Sequence, residues 1–257
     1  MAKRFLIPAA VLMVLACSSD TTAMSGAGGD SDEDALIVPE GLAVTALAGG
    51  NGVLDAIALT LRDGPSGPAV YAALRNDGEV PACSAAFSLE LFDESEHSLA
   101  AGIGGLLTQH FYRLTDGSGS IAACVGPGEV TMVAVTDFAT DVAIEDVAHV
   151  VYRSPYFALD VVPIDGLTIS QVERVTRGAG AAYTGTLVNG LDVAVSSPSV
   201  TVFPVNRVGR PLGIAIASGT VELPPGGRWA FETNTVAALG VDHVAYPAGA
   251  LAKQRRP

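Results

Sequence analysis

Apolar and polar residues alternate in short runs along the chain, and glycine or proline breaks most of the runs. Phe87, Leu89 and Leu91 alternate with Ser88 and Glu90, and Val200 and Val202 repeat the pattern on the way to Phe203. A period of two places every second side chain on one face, which marks a half-buried strand. Pro127-Gly128-Glu129 precedes the run Val130 to Val133, and Pro225-Gly226-Gly227 precedes Arg228-Trp229-Ala230-Phe231, so a Pro-Gly turn opens a strand twice. Trp229 and Phe231 share a face of the second of these strands, and their size predicts that face to be core.

The runs also recur in order. Ala73-Leu74-Arg75-Asn76 is echoed by Thr186-Leu187-Val188-Asn189, and Val147-Ala148-His149-Val150-Val151-Tyr152 by Val241-Asp242-His243-Val244-Ala245-Tyr246. With the two strand pairs above, four correspondences in the same order predict a duplication. Matching residues lie 113 apart early (Asn76 and Asn189) and 94 apart late (His149 and His243), which predicts an insertion in the first copy, placed at about 102–120. The organisation expected is all-β: two tandem immunoglobulin-like β-sandwich domains, at 37–153 and 154–250, ahead of a tail at 251–257. Each copy resembles the small immunoglobulin-like domains of bacterial envelope proteins, including the FxLYD-like group. The resemblance rests on the Asn closing an early strand, on Phe87-Ser88-Leu89-Glu90-Leu91-Phe92-Asp93, and on the Pro-Gly turn before a late strand. It implies sandwiches without catalytic residues. Pro204 departs from the pattern and predicts an edge strand or bulge there, because proline removes a ladder donor.

Composition narrows the function. The 257 residues carry 27 Asp and Glu against 14 Lys and Arg, a net charge of −13, with 49% hydrophobic and 16% charged residues. Little charge beside much apolar surface predicts a folded chain rather than a disordered one. The acidic excess argues against electrostatic attraction to nucleic acid phosphate or to an anionic lipid surface as the protein's main business.

The N-terminus reads as an address. Lys3 and Arg4 precede an apolar run over 5–16, too short to span a bilayer but suited to the core of a signal peptide. Its end, Val14-Leu15-Ala16-Cys17, resembles a bacterial lipobox. The resemblance implies cleavage after residue 16 and acylation of Cys17, giving a membrane anchor through N-terminal lipid. An ordinary secretory signal cleaved nearby is the alternative, and both readings export the protein. Ser18 and Ser19 after the cysteine resemble lipoproteins sorted to the outer membrane. Residues 17–36 are otherwise small, polar and acidic, the composition of a disordered linker.

With Cys17 acylated, Cys83 and Cys124 remain in an oxidising compartment, and both stand near predicted strand ends, so a disulfide between them is expected. Two buried, inert thiols are the alternative. Motifs for chemistry are sparse: there is no Gly-x-Ser-x-Gly elbow, His-Glu-x-x-His helix or Walker loop. His149 and His243 hold matching repeat positions and are expected to be structural; His97 follows Asp93-Glu94-Ser95-Glu96 in a polar turn. The acidic run Asp30 to Asp34 lacks the glycine and distal Glu of an EF-hand, and reads as solvated linker rather than a calcium loop. No cofactor and no metal is expected. The insertion gathers Leu106, Leu107, His110, Phe111 and Tyr112, aliphatic and aromatic groups of the kind that anchor interfaces, and is the candidate contact surface for an envelope protein partner. The same residues could form a hairpin packed over the domain's own core. The functional expectation is a non-catalytic, lipid-anchored envelope protein that binds or scaffolds another protein; an envelope hydrolase with an unrecognised site and a passive spacer are the alternatives.

Overall fold

A computed structural model describes residues 43–47, 54–64, 67–83, 85–107, 110–138 and 142–251. Cys17, the expected signal segment, the acidic residues up to 36 and residues 252–257 lie outside them. The first copy runs through β1 (Ala43–Ala46), β2 (Asp55–Gly64), β3 (Gly67–Arg75), β4 (Ala82–Cys83), β5 (Ala86–Phe92), β6 (Ser98–Gly105), β7 (Phe111–Leu114), β8 (Ile121–Val125), β9 (Val130–Val135) and β10 (His149–Arg153). Two short strands follow, β11 (Phe157–Ala158) and β12 (Val161–Ile164). The second copy comprises β13 (Leu167–Arg177), β14 (Gly180–Asn189), β15 (Val195–Val205), β16 (Ala215–Ser218), β17 (Glu222–Leu223), β18 (Arg228–Glu232), β19 (Val236–Ala237) and β20 (Asp242–Leu251). The described residues are thus nearly all β, in sandwiches, with one 3-10 turn at Ile144–Asp146.

In the first copy the sheet β1-β10-β5-β6 packs on the sheet β2-β3-β9 around Phe87, Leu89, Leu91, Val70, Leu74, Val133 and Tyr152. In the second, β16-β15-β20 packs on β13-β14-β18 around Tyr183, Leu187, Val200, Val202 and Phe231. The alternation read for Phe87, Leu89 and Leu91 is the inward face of β5, as the pattern predicts. Gly102 and Gly104 sit on β6 where a side chain would collide with Val133, Val135 or Phe138, so glycine lets β6 close against β9.

A third apolar layer joins the copies. On β3, Val70, Ala72 and Leu74 face the first core while Ala69, Tyr71 and Ala73 face the other way. Those outward residues, with Met132 of β9, meet Phe203 and Val205 of β15 and Tyr246 of β20. The four sheets therefore stack face to face, and the two middle sheets are buried on both sides. Burial pushes the phenols of Tyr71 and Tyr246 up from their ordinary value.

The duplication is visible in hydrogen bonds. Asn76 is fully buried; its Nδ2 donates to the carbonyls of Val80 (2.8 Å) and Val125 (2.9 Å), and its Oδ1 accepts from the Gly78 N–H (3.0 Å). Asn189 repeats each bond, to Val193 (2.9 Å), to Leu223 (2.9 Å) and from Leu191 (3.0 Å). The same two asparagines accept the amides of Gly128 and Gly226, both 2.7 Å, from the two Pro-Gly turns. Asparagine at the end of the early strand is thus the knot that ties strand, turn and late strand together.

Four local expectations change. The offset stays at 113 through β6 and β16 (Gly102 and Ala215) and drops to 98 at Val125 and Leu223, so the inserted segment starts after Gly105 rather than at Gly102. Residues 154–164 do not open the second sandwich: β11 pairs with β4 and β12 with β7, both in the first copy, and the second copy's first strand is β13. His149 and His243 are not equivalent in register. Val150 and Tyr152 face the first core, whereas Ala245 faces the second core and Val244 and Tyr246 face the seam. A one-residue slip exchanges the faces, and a strand buried on both faces offers no polar residue to mark it. His149 consequently stacks on Phe92 outside the first sandwich, and His243 lies against Tyr183. Pro204, finally, is not on an edge strand but at an irregularity of the ladder. β15 is the middle strand, and Pro204 lies past its last β16 pair (Val202 with Ala215), on the side where its carbonyl accepts the Leu212 N–H at 2.9 Å. A bridge of Val205 with Pro211 follows, one residue out of the β16 register, so the missing donor falls at this slip; on the β20 side the bulge of β15 is at Ser197, with φ of 48°.

Candidate functional site

The inserted segment forms β7, which pairs with β8, the counterpart of β17, and extends it into a five-stranded sheet, β11-β4-β8-β7-β12. Cys83 of β4 faces Cys124 of β8, and a disulfide joins them. Alternation then sends neighbouring side chains to opposite faces of this small sheet. Tyr112 packs over the disulfide with Leu159 and Val161. Phe111 points the other way, into the core of the second copy with Leu167 and Leu187, its ring against Gly166. On the same sheet Ala82 and Val125 belong to the first core. The insertion is therefore a strap that is rooted in the first sandwich and plugs the end of the second.

Leu106 and Leu107 complete the strap at its base. Leu106 packs against the first core, and Leu107 against the seam, where its carbonyl accepts the Thr131 hydroxyl. Across the far side Arg113 reaches Asp192 of the second copy through two bonds, 3.0 and 2.9 Å. The candidate contact residues Leu106, Leu107, Phe111 and Tyr112 are thus engaged inside the chain instead of forming an exposed apolar surface. The expectation of a hairpin over the domain's own core comes nearer, except that Phe111 enters the core of the other copy. No sequence signal separates a side chain that anchors a partner from one that anchors the next domain, because both are large, apolar and in an insertion.

His110 is the member of the set that reaches the surface. Its Nε2 lies 3.2 Å from Glu129 Oε1, and both side chains are partly exposed. Glu129 also accepts the Gly126 N–H at 2.7 Å, which fixes its carboxylate on the Pro-Gly turn. His110 lines a cleft of about 430 Å³ together with Thr168, Val172, His243 and Pro247. A second cavity, about 470 Å³, lies under the strap between Leu106, Leu107, Leu114, Cys124 and Leu159, and a third, about 570 Å³, beside the Arg113 and Asp192 pair. A histidine beside a fixed carboxylate can move a proton at the cleft edge. The sequence shows Glu129 only as part of the Pro-Gly turn; its pairing depends on the strap folding back over that turn.

The other residues singled out in the sequence are structural. His97 closes a turn in which Asp93 Oδ1 accepts the N–H groups of Ser95 (2.8 Å) and His97 (2.9 Å), and these bonds, that of His97 first, hold the Asp93 carboxyl below its ordinary range. Trp229 is half-buried, against Phe231 and over Gly219, at the end of the second core. Among the described residues no group of three or more His, Cys, Asp or Glu is placed to share a metal ion. No protein-family model and no curated protein matches the chain.

Proposed function

We propose that the chain is a non-catalytic, lipid-anchored protein of the bacterial cell envelope, held by acyl groups on Cys17, whose two stacked copies bind or scaffold another envelope protein. The observation that supports a scaffold over two hinged modules is the double fastening of the copies. An apolar seam of Tyr71, Met132, Phe203, Val205 and Tyr246 lies between them, and the disulfide-rooted strap plugs Phe111 into the far core. Such a joint resists the bending that short linkers otherwise permit between domains. The disulfide fits an oxidising compartment, as the signal sequence requires. Partner recognition is then assigned to the polar outer faces, not to the insertion, and deleting 103–119 would unfold the strap rather than probe a contact.

The test is chemical cross-linking in intact producing cells, with mass spectrometry of captured proteins and of the mature N-terminal peptide. Acyl groups on Cys17 and a reproducible, saturable partner are the expected results. An unmodified Cys17 overturns the anchor, and a folded, abundant protein that captures nothing overturns the scaffold.

One observation favours the hydrolase reading: His110, paired with the Glu129 carboxylate, and Thr168 line one cleft. Hydrolysis of a chromogenic ester panel that disappears in His110→Gln and in Thr168→Val would establish it; turnover unchanged by both would remove it.

A further inference from the structure

We infer that the 206–210 turn of the second copy is a membrane-contact tip, which seats Val208 among anionic phospholipid headgroups and meets their phosphates with arginine. The turn is rigid. Asn206 Oδ1 accepts the N–H groups of Val208 (3.1 Å) and Arg210 (2.9 Å), the Asn206 N–H donates to the Arg210 carbonyl (3.0 Å), and Gly209 takes φ of 77°. At its apex Val208 is 82% exposed, and Val241, whose N–H donates to Val205 at the base of the turn, is 50% exposed.

Charge gathers at the same place. Of the nine arginines among the described residues, Arg207 and Arg210 are in the turn, Arg62 donates to the Leu212 carbonyl (2.8 Å), and Arg174 donates to the Gly240 carbonyl (2.8 Å) beside Val241. Of the five arginines elsewhere, three are neutralised, Arg75 by Asp77, Arg113 by Asp192 and Arg177 by Glu232, while Arg153 and Arg228 stand singly on other strands. Among the described residues none of the four tip arginines forms an ion pair, and Arg210 Nη1 is buried with no hydrogen-bond partner. Asp63, Glu173 and Asp242 adjoin the cluster in sequence, so four positive charges stand against three negative ones. An aliphatic apex beside guanidinium groups that have no carboxylate partner, and whose stems can lie along the acyl boundary, is built for a surface that is apolar below and anionic above.

The net charge of −13 does not forbid this contact, because fields are screened over about 8 Å in physiological salt. The matching turn of the first copy, 93–97, has the same bonds but carries Asp93, Glu94 and Glu96. It caps a sheet two layers away, about 20 Å at ordinary sheet spacing, so its repulsion is screened as well.

The inference rests on the lipid-anchor reading only for the bilayer being within reach. The test places an environment-sensitive fluorophore on Val208→Cys in the full mature chain, with Ile103→Cys, also 82% exposed at the start, as the control position. The acylated chains are reconstituted into phosphatidylglycerol-phosphatidylethanolamine vesicles or into phosphatidylcholine vesicles. The expected result is a blue shift at position 208 on the anionic vesicles alone, removed by 1 M salt and by Arg207→Gln, with no shift at 103. A label that stays in water on both vesicles, or shifts equally on both, overturns the inference. So does a shift that grows with protein concentration without vesicles, which would assign the tip to an acidic turn of a second chain. If Cys17 proves unacylated, the anchor reading fails by itself, and co-sedimentation of the same chain with phosphatidylglycerol vesicles still decides the tip.

Discussion

Residue 90 of the first copy and residue 203 of the second hold the same place on the same strand, yet Glu90 faces solvent and Phe203 is completely buried. The difference runs through both copies. Ser88, Glu90 and Phe92 of β5 correspond to Thr201, Phe203 and Val205 of β15, whereas Tyr71 and Ala73 of β3 correspond to Thr184 and Thr186 of β14. Each copy is apolar on one outer face, and it is the opposite sheet in the two copies. The contact is heterologous, of the kind that would continue to a third copy if the outer sheets were apolar too. Serine and glutamate at one end and threonine at the other stop it, as polar caps stop a repeat array.

That comparison can be broken or sharpened by substitution. The largest effect is expected where the copies differ covalently. Removing the disulfide with Cys83→Ala and Cys124→Ala should cost about 4 kcal/mol for a loop of this length, read as a lower urea midpoint. The second copy holds Ser196 and Glu222 in the matching register, so its own packing should lose nothing directly. Phe203→Ala should cost about 3–4 kcal/mol and Glu90→Ala at most about 0.5 kcal/mol, although the positions are equivalent. Equal costs would deny the seam.

Where the copies agree, so should the numbers. Asn76→Ala and Asn189→Ala each strand two buried carbonyls, and each should cost about 3 kcal/mol in the same denaturation assay. A difference of more than about 1 kcal/mol between them would mean that the shared circuit is not equally important in both copies.

The seam also predicts an alkaline weakness. The folded-state phenols of Tyr71 and Tyr246 titrate above their unfolded value, so the unfolded chain releases their protons first. Stability from this source is complete below about pH 10 and falls as the pH rises further, by about 1–2 kcal/mol at pH 11. Tyr246→Phe should flatten that fall; an unchanged pH profile would contradict it. The smallest effect lies in the two turns. Glu96 holds φ of 61° where the second copy has Gly209, so Glu96→Gly should stabilise by up to about 1 kcal/mol and Gly209→Ala should destabilise by a similar amount, both read as shifts in melting temperature.

Much of this was legible in the chain. Period-two runs, paired Pro-Gly turns and an asparagine at each early strand end predict the all-β fold and the repeat, because those features act locally. The Cys83 and Cys124 pairing was legible too, from two thiols at strand ends. What lay hidden depends on partners distant in sequence. His149 and His243 align by residue type, but the second strand is apolar on both faces and conceals a one-residue slip. Phe111 and Tyr112 are adjacent and similar, and only the strap's position sends one to the far core and the other to the disulfide. The pairing of His110 with Glu129 and the gathering of Arg62, Arg174, Arg207 and Arg210 likewise follow from stacking, which no local pattern encodes.

Fastening of the two copies into one unit is tested most directly by unfolding with two probes. Trp229 is the chain's one tryptophan and lies in the second copy, so its fluorescence follows that copy, while far-ultraviolet circular dichroism follows both. A fastened pair predicts coincident urea transitions in the native protein and separated ones in Phe203→Asp. Separate transitions in the native protein, or coincident ones in the variant, would contradict it.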